Sequence, residues 1–247
     1  TDGSGAARAQ LQQISKQAQS SFEQAKKFQK EGNLKEAEKF YLHSLKVRET
    51  YWKAIDPIIP EIYDALASIY AENGKTDQSE KALKEMLASY ARLHGPGSKH
   101  RIKPLKALGD IYASANELWD SHDHYEQALV LSERYDGADS PQALELRLLV
   151  AGKLKDLGKS DRAADLFEKS LKLNNDKDYL TNDQIVETLD SYAVVLKKLN
   201  KTKEAENMQN QANQLRADGK TPTLEDSVEK VPADDKGASI KKTTDVE

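Results

Sequence analysis

The stretch LKALGDIYASANELWDSHDHYEQALVL, residues 105–131, decides the fold. Small Gly109 and large Tyr112 stand three residues apart, then comes Asn116, then small Ser121 followed by Tyr125 and Leu129 at steps of four. Steps of three and four put side chains on one face of an α-helix. Asn, like Gly, accepts the left-handed backbone that ends a helix. The stretch therefore reads as two helices folded back on each other around Asn116.

The same pattern recurs through EGNLKEAEKFYLHSL, ENGKTDQSEKALKEML, LGKSDRAADLFEKSL and LNKTKEAENMQNQAN. The turn residues are Gly32, Gly74, Asn116, Gly158 and Asn200, each 42 residues after the last. Seven residues earlier stand Ala25, Ala67, Gly109, Ala151 and Ala193, all small, and four earlier Phe28, Tyr70, Tyr112, Leu154 and Leu196, all large. Five residues later stand Ala37, Ser79, Ser121, Ala163 and Ala205, again small. Nine and thirteen later come Tyr41, Leu83, Tyr125, Phe167 and Gln209, then Leu45, Leu87, Leu129, Leu171 and Asn213. Small residues make up roughly a quarter of the chain, so one all-small column of five arises by chance on the order of once in a thousand. The columns predict an antiparallel helix pair per repeat, in close contact at the small residues, with neighbouring pairs stacked into a continuous core. Gln209 and Asn213 break the last two columns, as expected of a terminal unit whose outer face meets water.

Composition agrees with an all-α chain and excludes several classes. Among 247 residues there are 37 Lys and Arg against 41 Asp and Glu, no Cys, and only two Trp and four Phe. Without Cys there are no disulfides, thiolate nucleophiles or Cys-bound metals. The charge balance argues against a nucleic-acid binder, and no apolar run of 18 residues predicts a membrane span. Residues 217–247 hold eight acids and five bases with two prolines, and are expected to be mostly disordered. Within them Leu224, Val228 and Val231 share a helical face and form a candidate capping segment. The first residues, TDGSGA, begin without Met and read as a scar, a processed end or a fragment edge. The compartment stays open between cytoplasmic and exported.

Helix limits follow from caps. Thr181 with Gln184 is a capping box, and Ser140 before Pro141 is a cap followed by a first-turn proline. First helices are placed near 59–73, 100–115, 140–157 and 182–199, second helices near 34–53, 76–93, 118–134, 160–174 and 202–216. A single long helix is expected from about Ala6 to Glu31. The chain divides into an N-terminal tail and helix extension over 1–16, five 42-residue repeats over 17–216, and the acidic tail over 217–247.

These columns resemble the tetratricopeptide repeat, with ALASIYAENGKTDQSEKALKEML (65–87) a good instance and residues 105–131 a better one. The usual unit is about 34 residues. The eight further residues make it similar to the kinesin-light-chain type, as do LHGPGSKHRIKPLKALGDIY and RYDGADSPQALELRLLV between repeats. The resemblance implies an all-α, right-handed superhelix whose concave groove, lined by first helices, grips a peptide or partner helix. The Asn pair usual in that type before the small column is replaced here by Asp64–Ala65, Lys106–Ala107, Leu148–Leu149 and Asp190–Ser191.

Helical phase gives the groove-facing residues: Glu61, Asp64 and Ser68; Lys103, Lys106 and Asp110; Leu148 and Lys155; Glu187, Asp190 and Lys197. The wall reads as acidic in repeat two, basic in repeat three and mixed beyond, suited to an acidic peptide or carboxylate at the lysines. The bland reading is a solvated face with local ion pairs. In DSHDHY, His122 and His124 point about 200° apart, and the pairs Asp120–His124 and His122–Glu126 each supply two ligands, so no metal site and no cofactor is expected. An ordinary surface histidine is expected at each. His43, His94 and His100 look scattered, and Trp52 and Trp119 read as packing residues. No phosphate loop or nucleophile elbow is present, so the chain reads as no enzyme. The expected function is an interaction scaffold for a protein or peptide partner; the alternative is a self-assembling module, a homo-oligomer through its terminal helices.

Overall fold

A computed structural model describes residues 3–53 and 55–218. They form ten α-helices and no strand: α1 Gly3–Lys30, α2 Leu34–Trp52, α3 Ile58–Glu72, α4 Thr76–His94, α5 Ile102–Ser114, α6 Leu118–Tyr135, α7 Pro141–Asp156, α8 Ser160–Lys177, α9 Asn182–Lys198 and α10 Thr202–Asp218. A 3-10 turn, Lys99–Arg101, leads into α5. Successive helices pair as α1–α2, α3–α4, α5–α6, α7–α8 and α9–α10, and each second helix also packs on the next first helix. The expected segment at Leu224, Val228 and Val231 lies outside the described residues.

All five turn-column residues are left-handed: Gly32, Gly74, Asn116, Gly158 and Asn200 have φ of 75°, 67°, 60°, 72° and 61°. In each turn the N–H of the following residue reaches back to the carbonyl of the large residue four before the turn. These bonds are Asn33 to Phe28 at 2.9 Å, Lys75 to Tyr70, Glu117 to Tyr112 and Lys159 to Leu154 at 2.8 Å, and Lys201 to Leu196 at 3.0 Å. The motif closes one helix, satisfies a terminal carbonyl and reverses the chain. That is why the column admits only Gly and Asn.

The small columns are buried, and they are where the paired helices meet. Where the second column carries Ser, its hydroxyl donates across the pair to the carbonyl of the first: Ser79 to Ala67 and Ser121 to Gly109, both at 2.9 Å. A buried hydroxyl that is satisfied in this way costs little. Gly109 is obligatory for another reason: a Cβ there would stand 2.5 Å from Cδ1 and Cε1 of Tyr125. Tyr125 is held in turn by its hydroxyl, which donates to Asp110 at 2.6 Å.

The caps at Ser140 and Thr181 form as expected, the latter as a complete capping box. The second helix of repeat four runs farther than expected, to Lys177. Asn174 does not end it; the side chain is buried and accepts the Leu180 N–H at 2.7 Å, while left-handed Asp178 closes the helix. α10 keeps a polar outer face, with Asn213 exposed, but its apolar contacts follow a shifted register. Ala205, Met208, Ala212 and Leu215 are buried, and half-buried Gln209 donates to Asp190 at 2.9 Å.

The apolar interior falls into two clusters. One extends from Phe22 to Leu108 and the other from Ile102 to Leu215, so they meet within α5, with Leu87 packed against both. At the junction of the first two repeats Arg48 and Asp56, 7% and 8% exposed, pair at 2.7 Å. Asp56 also accepts the Ile58 N–H at 2.9 Å, and Arg48 donates to Gln19 at 2.7 Å. With these bonds the buried pair is satisfied, which is what makes such burial tolerable.

Candidate functional site: the inner face of the solenoid

First helices sit side by side and are joined by long-range polar contacts. Lys103 of α5 reaches Asp64 of α3 at 2.5 Å. Lys106 reaches Glu145 of α7 and Asp110 of its own helix, both at 3.4 Å. Lys155 of α7 lies 3.4 Å from Ser191 of α9, and Asp190 of α9 pairs with Arg216 of α10. Burial alone lowers the pKa of Lys106, but the Asp110 and Glu145 carboxylates outweigh it and hold the ammonium charged. Burial, then the negative charges of Asp64 and Glu61, push the nearby Tyr90 phenol up.

Four of the eleven expected groove residues, Asp64, Lys103, Lys106 and Lys155, thus form a ladder between repeats, while Asp110 and Asp190 pair within their own. The expected separation into an acidic and a basic wall is replaced by pairing. Helical phase fixes the face a residue occupies, whereas its partner 39 residues away depends on the stacking offset. Each exposed pair is worth about 0–1 kcal/mol, so the ladder sets alignment more than stability. Glu61, Glu187 and Lys197 stay exposed; Ser68 is exposed and donates to the Asp64 carbonyl at 3.1 Å; Leu148 is half-buried against the core.

Two clefts flank the ladder. One of about 480 Å³ lies between α1 and α3, where Phe22, Lys26 and Tyr41 join Glu61, Asp64 and Ser68. Another of about 400 Å³ lies between α7 and α9, with Leu148, Leu149 and Leu180 on its walls beside Lys155 and Glu187. Gly152 lines the second, and a Cβ there would meet nothing within 4 Å. A helix-interior glycine costs about 1 kcal/mol relative to Ala, and packing within the chain does not require this one. Its presence in AGKLKD was the signal in the sequence for this cleft.

Other expectations change. His122 is 3% exposed, turned inward where the next repeat covers α6. His94 and His100 are not scattered: their rings stack at 4.4 Å, with Tyr90 on His100 at 5.3 Å, because the loop after α4 folds back. Burial, then the neighbouring His94 and Lys99, lower the His100 pKa. Trp119 is 55% exposed, with the Lys159 ammonium 5.8 Å from its ring. Trp52 is half-buried against Tyr51 at the expected repeat junction.

Residues 59–133 match the tetratricopeptide-repeat family model. Among solved structures, BtubC (BKLC) from P. vanneervenii is similar at TM-score 0.65 and 20% identity, over 94% of this chain and 99% of that one. A putative kinesin light chain with nearly identical TPR-like repeats, from Podosopora anserina, is similar at TM-score 0.62 and 16% identity, over 85% and 99%. YrrB, described as a TPR protein with an unusual peptide-binding site, is similar at TM-score 0.58 and 14% identity, over 80% and 86%. No curated protein matches the chain. With five helix hairpins stacked at 42-residue spacing, the described residues have the fold of a tetratricopeptide-repeat solenoid. Its repeats resemble the kinesin-light-chain type. Among the described residues no helix is long and apolar enough to cross a membrane.

Proposed function

We propose that the inner face binds an extended segment of a partner protein, without catalysis. The observation that carries this is the α7–α9 cleft: leucine walls, Lys155 and Glu187 at its rim, and open space over Gly152. The leucines suit an apolar side chain, and the rim charges fix its orientation. The ladder through Lys103 and Lys106 offers polar groups between this cleft and the one at α1–α3. The description of YrrB as having a peptide-binding site supports the reading.

The test uses a random peptide library displayed on phage and selected on the full chain. Peptides with a recurring apolar anchor should emerge, and Gly152→Leu, which fills the cleft, should abolish their capture while helicity is kept. Lys103→Gln with Lys106→Gln should weaken capture; neutral replacements are needed because acids there would repel Asp64 and Glu145. Undiminished capture by Gly152→Leu refutes the assignment. Light scattering on the same samples reads the alternative: mass doubling with concentration favours self-assembly.

A further inference from the structure

On α6, away from the inner-face clefts, His122 sits between two carboxylates. Nδ1 lies 3.0 Å from Asp123 Oδ1 and Nε2 lies 3.6 Å from Glu126 Oε2. A carboxylate only accepts, so in the neutral ring Nδ1 carries the proton donated to Asp123, and Nε2 keeps a bare lone pair. That nitrogen is buried and has no hydrogen-bond partner. It faces a second acceptor with no donor between them, and such an arrangement is costly unless a cation joins it. One donor atom from each of His122, Asp123 and Glu126 lies within 4.8 Å of the others.

We propose that His122 and Glu126 bind a zinc-like divalent transition metal, with Asp123 as the positioning residue that orients the ring. Zinc bonds of about 2.0–2.1 Å to nitrogen and 2.0–2.2 Å to oxygen span 3.6 Å with an angle of about 120° at the metal, close to tetrahedral. Residues at i and i+4 share a helix face, and a carboxylate on the far ring nitrogen is the usual outer partner of a metal-bound histidine. The neighbouring cleft of about 410 Å³ has Asp123 and Glu126, but not His122, on its wall, so waters that complete the coordination would enter from the Glu126 side. Arg162 of α8 takes the other oxygen of Glu126 at 2.8 Å, so one oxygen remains for the metal. Arg101 and Arg134 also line the cleft; Arg134 lies eight residues, about 12 Å of helix rise, along α6, and Arg101 donates to the Pro96 carbonyl.

Zinc chloride titrated into the full chain, by calorimetry and by ¹⁵N NMR of the histidine rings, tests this. The expected result is one saturable equivalent that moves the His122 Nε2 resonance. Asp123→Asn should weaken binding about 10–100-fold, and Glu126→Gln more. Arg162→Met, which frees the second Glu126 oxygen, should tighten it. Asp123 and Glu126 are exposed enough that their variants keep the fold; circular dichroism checks this. No saturation at millimolar zinc, shifts confined to the stacked His94 and His100, or indifference to Glu126→Gln would overturn the proposal.

Discussion

Gly109→Ala sets helix propensity against packing. Alanine in the interior of α5 gains about 0.8–1 kcal/mol of helix propensity. The new methyl, however, lands 2.5 Å from two carbons of the Tyr125 ring and 3.1 Å from a third. Relief requires a shift of about 1 Å to reach ordinary carbon contact. The ring is 2% exposed and tied to Asp110 at 2.6 Å, so it has nowhere to retreat. Overpacking of this kind costs about 1–3 kcal/mol, leaving a net loss of about 0–2 kcal/mol after the helical gain, or up to a few degrees of melting temperature in a chain of this size. Tyr125→Leu in the same chain recreates the Ala67–Leu83 combination that repeat two uses in these columns. The double variant should therefore recover at least about 1 kcal/mol relative to the sum of the single losses. Urea unfolding by circular dichroism, with amide exchange in α5 and α6 to localise the change, reads all four corners of the cycle. A stabilised Gly109→Ala single variant, as propensity alone predicts, refutes the reasoning.

Three further outcomes follow from the same structure. Asp56→Ala leaves Arg48 buried without its partner and should cost about 3–5 kcal/mol, with faster amide exchange concentrated in α1 and α2. Burial, reinforced by nearby glutamates, pushes the phenols of Tyr41, Tyr70 and Tyr192 up to about 12. Unfolded tyrosine titrates near 10, so the unfolded chain releases these protons first; stability is intact below pH about 10 and falls as pH rises towards 12. Ultraviolet titration alongside circular dichroism should show phenolate absorbance and helix loss rising together in that window. At Asn116, with φ of 60°, Gly should be neutral or stabilising by a few tenths of a kcal/mol, and Val should destabilise by about 1–2 kcal/mol, both read by thermal melts.

Local chemistry made the hairpins legible. Gly or Asn at the turn, a capping box at Thr181 and Ser140 before proline each act within a few residues, so they can be read without knowing what lies across the chain. Gln209 misled because the column was fixed at nine residues past the turn, whereas α10 buries Met208, one residue earlier. The candidate site was legible as a face and not as a set of pairs: phase put Asp64 and Lys103 inward, but their meeting depends on how α5 stacks on α3. His122 was misread because helix spacing was applied without asking whether another repeat covers that face. Gly152 carried information that the small-residue columns hid, since it stands beside Ala151 and looks like part of the same contact.

The seam between the two apolar clusters runs through α5 rather than between repeats. A curved rod under load yields where its interior is least continuous, and here that place is a helix carrying a glycine near its middle. Lys103 and Lys106 tie α5 to the helices on either side through water-exposed contacts that salt weakens. Ionic strength should therefore tune how far the two halves of the rod can pivot, changing the spacing between their end clefts while each half keeps its own packing.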